Sequence, residues 1–274
     1  MTPRESEIIE LLHKEVKPAL GCTEPIAVAL AAARTMETLK SKARTVADHE
    51  INVEVSGNIL KNGMGVGIPG TGMVGLHIAA ALGAVCGNSS YGLEVLKDLT
   101  EEDVNSAKAL VKDGKVKIKV ADSPKILYVK VTVTTPEHNA WTVIEDDHDR
   151  IVETGIDGSA SDFRKGGSGK SSSVKGALDY NLTVKEIYSF ALGAAFEDIR
   201  FILEDRDLNL ALAKEGLKGK YGLEVGKSIR ENQQEVFGDD FLSFAMGLTA
   251  AASDARMAGC KLPAMSNSGS GNQG

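Results

Sequence analysis

Apolar side chains recur at helical spacing in residues 6–20, at Ile8, Ile9, Leu11, Leu12 and Val16, and this periodicity predicts an amphipathic helix. Residues 24–39 are alanine-rich without an internal glycine and predict a second helix. Between residues 48 and 157 the pattern changes to alternating or β-branched runs, at residues 51–55, 116–120, 127–133, 141–144 and 150–154. These predict strands. Residues 73–85, 93–99 and 101–112 fall between the first two strands and have helical character, the last capped by Thr100 ahead of Glu101, Glu102 and Asp103. Residues 158–176, containing Gly166-Gly-Ser-Gly-Lys-Ser-Ser-Ser173, are too poor in apolar groups to pack and predict a surface loop or linker. Helical periodicity returns in residues 183–203, opened by the capping-box pair Thr183 and Glu186, and in residues 239–257.

The pattern therefore predicts an α+β fold in which helical N- and C-terminal portions pack together around an inserted mixed α+β unit. The divisions are a helical segment at 1–45, the inserted unit at 46–157, the loop or linker at 158–181, and a helical domain at 182–274 ending in a glycine-rich loop. No internal repeat of useful length is present.

With 274 residues, 42% hydrophobic, the chain is long enough to bury a substantial core. A formal net charge of -7 without a local basic patch argues against nucleic acid and anionic lipid as partners. No apolar run is long enough to span a bilayer and the N-terminus lacks a signal-peptide profile, so a cytoplasmic protein is expected. Three widely spaced cysteines, Cys22, Cys86 and Cys260, do not suit a disulfide framework.

Gly21-Cys-Thr-Glu-Pro25 stands at the start of the alanine-rich helix, with Thr23 a candidate N-cap. A cysteine at the positive end of a helix suits a nucleophile or a metal ligand through its thiolate; a small buried cysteine beside a cap is the plainer alternative. Lys61-Asn-Gly-Met-Gly-Val-Gly-Ile-Pro-Gly-Thr-Gly72 contains G-x-G-x-x-G at Gly65, Gly67 and Gly70, but no acidic residue follows at the end of a second strand, so dinucleotide binding is not supported. A flexible backbone rich in N–H groups beside Lys61 suits a carboxylate or other anion, and a tight turn needed for close packing is the alternative. Gly169-Lys-Ser171 lacks the leading glycine of a P-loop, where Arg164 stands. Glu145-Asp-Asp-His-Asp149 reads as a hairpin turn, leaving His148 as an acid/base candidate. Met265-Ser-Asn-Ser-Gly-Ser-Gly-Asn-Gln-Gly274 concentrates hydroxyls, amides and backbone N–H groups, as a polar-ligand loop does; a tail is the alternative. A chain stopping inside such a loop is expected to be truncated.

The motifs at residues 21–25, 61–70 and 263–274, in this order, resemble those of the L-cysteine desulfidase family, which is similar to the alpha part of iron-sulfur L-serine dehydratases. The resemblance implies a carbon-sulfur lyase that cleaves L-cysteine to hydrogen sulfide, ammonia and pyruvate with a [4Fe-4S] cluster. Cys22 matches the family's first cluster ligand, and the remaining cysteine ligands are expected beyond Gly274. The resemblance further implies His148 and Lys61 as catalytic groups, and Asn62, Gly70, Thr71, Ser266, Asn267, Ser268, Gly269, Asn272 and Gln273 as contacts to a small amino-acid substrate. L-Serine dehydration, or a non-catalytic module binding small amino or carboxylic acids, are the alternatives. A homo-oligomer stays open.

Overall fold

The computed structural model describes residues 2–43, 46, 48–164, 181–232, 238 and 240–267. Helix α1 (Pro3–Glu15) is closed at its start by a reciprocal capping box between Thr2 and Glu5. It ends earlier than the periodicity predicts, because residues Val16–Ala19 form strand β1, which pairs antiparallel with the last strand, β8 (Ala264–Asn267). Pro18 cannot donate within a helix, and β-branched Val16 suits an extended backbone. Nothing local to residues 16–19 announces a partner this far along the chain. The expected polar loop after Pro263 correspondingly begins as a strand.

Helix α2 (Thr23–Lys40) is buried on nearly every side, from Ile26 through Ala33 and on to Met36 and Leu39. It lies between helix α4 (Leu76–Cys86) and a six-stranded sheet. That sheet comprises β2 (Glu50–Val55), β3 (Val116–Val120), β4 (Tyr128–Thr134), β5 (Asn139–Glu145), β6 (Ile151–Ile156) and β7 (Ser159–Asp162). Its order is β3-β2-β4-β5-β6-β7, with β2 and β3 parallel and the other pairs antiparallel. Strand β7 occupies part of the stretch expected to be loop.

Period-two alternation places Val129, Val131 and Val133 in the core while Lys130 and Thr132 stay half-exposed. Gly83 of α4 meets α2 so closely that a Cβ there would lie 2.1 Å from the Ala29 carbonyl oxygen, a backbone approach only glycine permits. The parallel β2–β3 pair is joined through α3 (Gly57–Gly63), α4 and α5 (Glu101–Lys112). Thr100 caps α5 with a box completed by Asp103, as the sequence predicts. The helix expected at residues 93–99 is instead a 3-10 turn at Ser89–Glu94, kinked where Gly92 takes a positive φ of 54°.

From residue 181 to β8 the described residues are mainly helical. The expected helix at residues 183–203 is divided: α6 (Val184–Gly193) stops at Gly193, and Ala194 and Ala195 are extended before α7 (Phe196–Ile199) and a 3-10 turn at Arg200–Ile202. Helices α8 (Leu203–Lys218), α9 (Val225–Glu231) and α10 (Phe241–Met257) then pack on one another. Leu212, Ala255, Cys260 and Ala264 form a small apolar cluster there, separate from the core of the sheet. The molecule is thus α+β, with α2 bound to the sheet and β1–β8 joining the two ends of the chain. Among the described residues no helix is long and apolar enough to cross a membrane.

Candidate functional site

Cys22 occupies the cap position of α2, with an extended backbone and no side-chain cap bond, and Thr23 begins the helix rather than capping it. Gly21, at φ 78°, packs against the Pro69 ring, and its carbonyl accepts a 3.1 Å hydrogen bond from Arg256 Nε at the end of α10. Arg256 is only 4% exposed. The next residue, Met257, places its Sδ 3.2 Å from Cys22 Sγ and its carbonyl 2.8 Å from the Gly67 amide. The glycine-rich segment is pressed onto the same helix end, since a Cβ on Gly67 would lie 2.4 Å from the Ala258 carbonyl carbon. Residues of the first two motifs therefore meet at the end of α10, and Ala264 of the third shares the C-terminal apolar cluster with Ala255 of that helix.

The Cys22 thiol is pushed up from its ordinary value by burial, with the Arg256 charge working in the opposite direction and Glu24 adding to the rise. This runs against the expectation that the start of α2 favours the thiolate, because burial disfavours the charged form. Cys86 donates to the Leu82 carbonyl within α4 and is pushed up to about 11 by burial. Cys260 lies in the C-terminal apolar cluster beside Tyr221. Among the described residues no group of three His, Cys, Asp or Glu side chains is placed to hold a metal ion.

His148 sits in the turn between β5 and β6, half-buried, as the hairpin reading expects. Burial pulls its pKa down, while the carboxylates of Glu24, Asp149 and Asp147 oppose the shift and Lys17 adds to it. The neutral imidazole is a proton acceptor. Asp149, its neighbour, is ion-paired with Lys17 of β1. The Lys17 carbonyl accepts from the Ser266 hydroxyl at 2.8 Å, and Lys17 and Ser266 stand opposite each other in the β1–β8 register.

Asn62, at the end of α3, donates to Glu24 Oε1 at 3.3 Å. Lys61 and Asn62 thus belong to a helix capped by Ser56 rather than to the loop itself, and both side chains are exposed. Thr71 is buried, its hydroxyl donating to the Ile68 carbonyl at 2.7 Å and accepting from the Met73 amide at 2.9 Å, so it is committed to the turn. Gly70, at φ 74°, lies against the Lys261 side chain. Ser266 is fully buried and Asn267 is exposed at the strand end. Ser268, Gly269, Asn272 and Gln273 lie outside the described residues.

Glu24, Lys17, Asp149 and Arg256 are the residues that sequence reasoning did not select. Glu24 stood inside the Gly21–Pro25 motif, two positions from Cys22 and in the first turn of a helix, which is a signal. Arg256 was the one cation in a long apolar helix, a pattern that asks for a buried partner. Lys17 and Asp149 carried no local signal, because their pairing is tertiary.

The site defined by these contacts is a seam in an α+β protein, where the start of α2, the end of α10 and a β-hairpin carrying an imidazole come together. The profile of the serine dehydratase alpha chain family matches residues 90–274, and the chain belongs to that family. It is 49% identical over its full length to a UPF0597 protein of Oleidesulfovibrio alaskensis, covering 63% of that protein. It is 46% identical to UPF0597 proteins of Shewanella pealeana, over 97% of this chain and 62% of that one, and of Aeromonas hydrophila, over 100% and 61%. The chain therefore spans less than two thirds of the length of these relatives. No solved structure matches it.

Proposed function

We propose that the protein acts as a lyase on a small L-amino acid carrying a leaving group at Cβ, with L-cysteine as substrate and L-serine as the alternative, in the cytoplasm. The reading is supported by the family and carried by one observation: a half-buried imidazole, His148, in the β5–β6 turn close to Glu24 of the segment that bears Cys22, with burial pulling its pKa down.

In this reading His148 takes the proton from Cα and the sulfur leaves Cβ as sulfide with the electron pair of the C–S bond. The resulting 2-aminoacrylate tautomerises to an imine, and water converts it to pyruvate and ammonia, so cysteine and one water give sulfide, ammonia and pyruvate. Asn62 and Lys61, with backbone amides of the glycine-rich segment, are positioning groups for the substrate carboxylate. Glu24, which accepts from Asn62, orients that amide.

A [4Fe-4S] cluster, which the resemblance implies, would supply an open iron as a Lewis acid for the leaving sulfur. The described residues do not by themselves fit it: they offer one thiol, Cys22, at the seam, and Cys86 and Cys260 are placed elsewhere.

The test is anaerobic assay of a longer chimera, in which this chain replaces the matching part of the Oleidesulfovibrio relative, after treatment with iron and sulfide. Pyruvate and sulfide released together from L-cysteine, and lost in His148→Ala, support the reading. Pyruvate from L-serine alone moves it to a dehydratase. The single thiol at the seam favours, as a second reading, a binding module: stabilisation of iron-free protein by L-cysteine, L-serine or small carboxylates, with no pyruvate formed, is its signature.

A further inference from the structure

Large apolar side chains left in water are concentrated on the C-terminal helices. On α6, Val184, Ile187, Tyr188 and Leu192 fall on one helical stripe, and Val184 and Leu192 are 83% and 73% exposed. Phe241 and Leu242 at the start of α10 are 84% and 65% exposed. Helices α8, α9 and α10 enclose a cleft of about 660 Å³, whose walls include Leu210, Val225, Met246 and Thr249 and which reaches Arg256. Beneath it, among the described residues, Leu212, Ala255, Cys260 and Ala264 form a small buried cluster, with Tyr221, Ala252 and Leu262 packed against it. Apolar stripes at helical spacing are the faces that helices bury against other polypeptide, and exposed apolar groups gathered along a cleft mark an interface.

The relatives supply an occupant: each is longer than this chain, which covers 61–63% of their length. Arg256 lines the cleft, and its guanidinium holds the Gly21 carbonyl next to Cys22. We infer that the cleft between α8, α9 and α10 seats an apolar segment from the part of the polypeptide by which these relatives exceed this chain. That segment thereby borders the seam at Gly21 and Cys22. The inference concerns packing, so it stands or falls separately from the lyase reading.

Two measurements test it. A benzophenone amino acid is introduced into the full-length Oleidesulfovibrio protein at the positions aligned with Leu210 and Met246, and cross-linked peptides are mapped by mass spectrometry. Links to the part outside the alignment are expected; links between two copies, distinguished by isotope-labelled mixing, or no links from either position, overturn the inference. Met246→Asp in this chain is expected to move the thermal midpoint by less than about 2 °C, since Met246 is 43% exposed. The aligned change in the full-length relative is expected to lower it by more than about 5 °C. Small shifts in both proteins overturn the inference as well.

Discussion

Lys17 and Asp149 form an ion pair that ties the His148 hairpin to β1, and the carbonyl of the same Lys17 accepts from Ser266 of β8. One residue thus links the turn that carries the imidazole to both strands of the seam. Each partner of the pair is about one-third exposed, 34% for Lys17 and 31% for Asp149, so the pair contributes little to stability, on the order of 0–1 kcal/mol. Lys17→Met is expected to leave the unfolding midpoint nearly unchanged while reducing turnover by the proposed lyase. The charge-swapped pair Lys17→Asp with Asp149→Lys is expected to restore part of it. Calorimetry and a pyruvate assay on the same preparations check both halves; a large loss of stability with unchanged turnover contradicts the positioning role.

The pH dependence follows from His148. Burial lowers its pKa from the ordinary 6.5, so the folded chain keeps the ring neutral where an unfolded chain begins to protonate. The unfolded state binds the proton more readily, and the native state loses stability as the pH falls below that ordinary value and through the folded one. A histidine NMR titration, with His148→Gln for assignment, is expected to give a midpoint below 6.5. A midpoint at or above it would remove the argument for a neutral base.

Thiol reactivity offers a third check. Burial raises both Cys22 and Cys86, the latter to about 11, so neither carries appreciable thiolate at neutral pH in the folded protein. Iodoacetamide at pH 7 is expected to label both far more slowly than it does after unfolding, followed by mass spectrometry. Rapid labelling of Cys22 in the native chain would contradict its burial beside Met257.

Gly67→Ala tests the junction itself. The added methyl meets the backbone of Ala258, which cannot swing aside as a side chain end does, and overpacking of this kind costs about 1–3 kcal/mol. A chemical denaturation midpoint equal to that of the parent chain would show that the loop is not pressed against α10. Gly65, with nothing near its Cβ position, is the matched control, and Gly65→Ala is expected to be nearly silent.

Much of this architecture was legible because it is written locally. The alternating valines of β4, the unbroken alanines of α2, and the box of Thr100 with Asp103 each carry their structure within a few residues. The misreadings share a cause. Val16 continues the apolar periodicity of α1, yet it pairs with a strand near the other end of the chain. Residues 183–203 keep helical composition through the break at Ala194 and Ala195, whose extended backbones the hydrophobic pattern does not announce. At the candidate site, the position of Cys22 at a helix start and of His148 in a turn was readable, whereas Asn62, read as loop, lies in the last turn of a helix. Glu24 and Arg256 become visible only once α2 and α10 are brought together, and the glycines of the 61–72 segment divide between close packing, at Gly67, and strained turns, at Gly70.

The β1–β8 pairing also imposes an order of events during synthesis. Lys17 and Ser266 are 249 positions apart, so the carbonyl of one waits for the hydroxyl of the other until nearly the whole described chain has left the ribosome. The sheet and α2 depend on contacts complete by residue 162 and can consolidate earlier, whereas the β1–β8 pairing closes the longest loop among the strand pairings of the described residues. Assembly of the ground around Cys22 and Met257 is therefore a late step, and a nascent chain arrested before α10 holds a formed sheet with its seam still open.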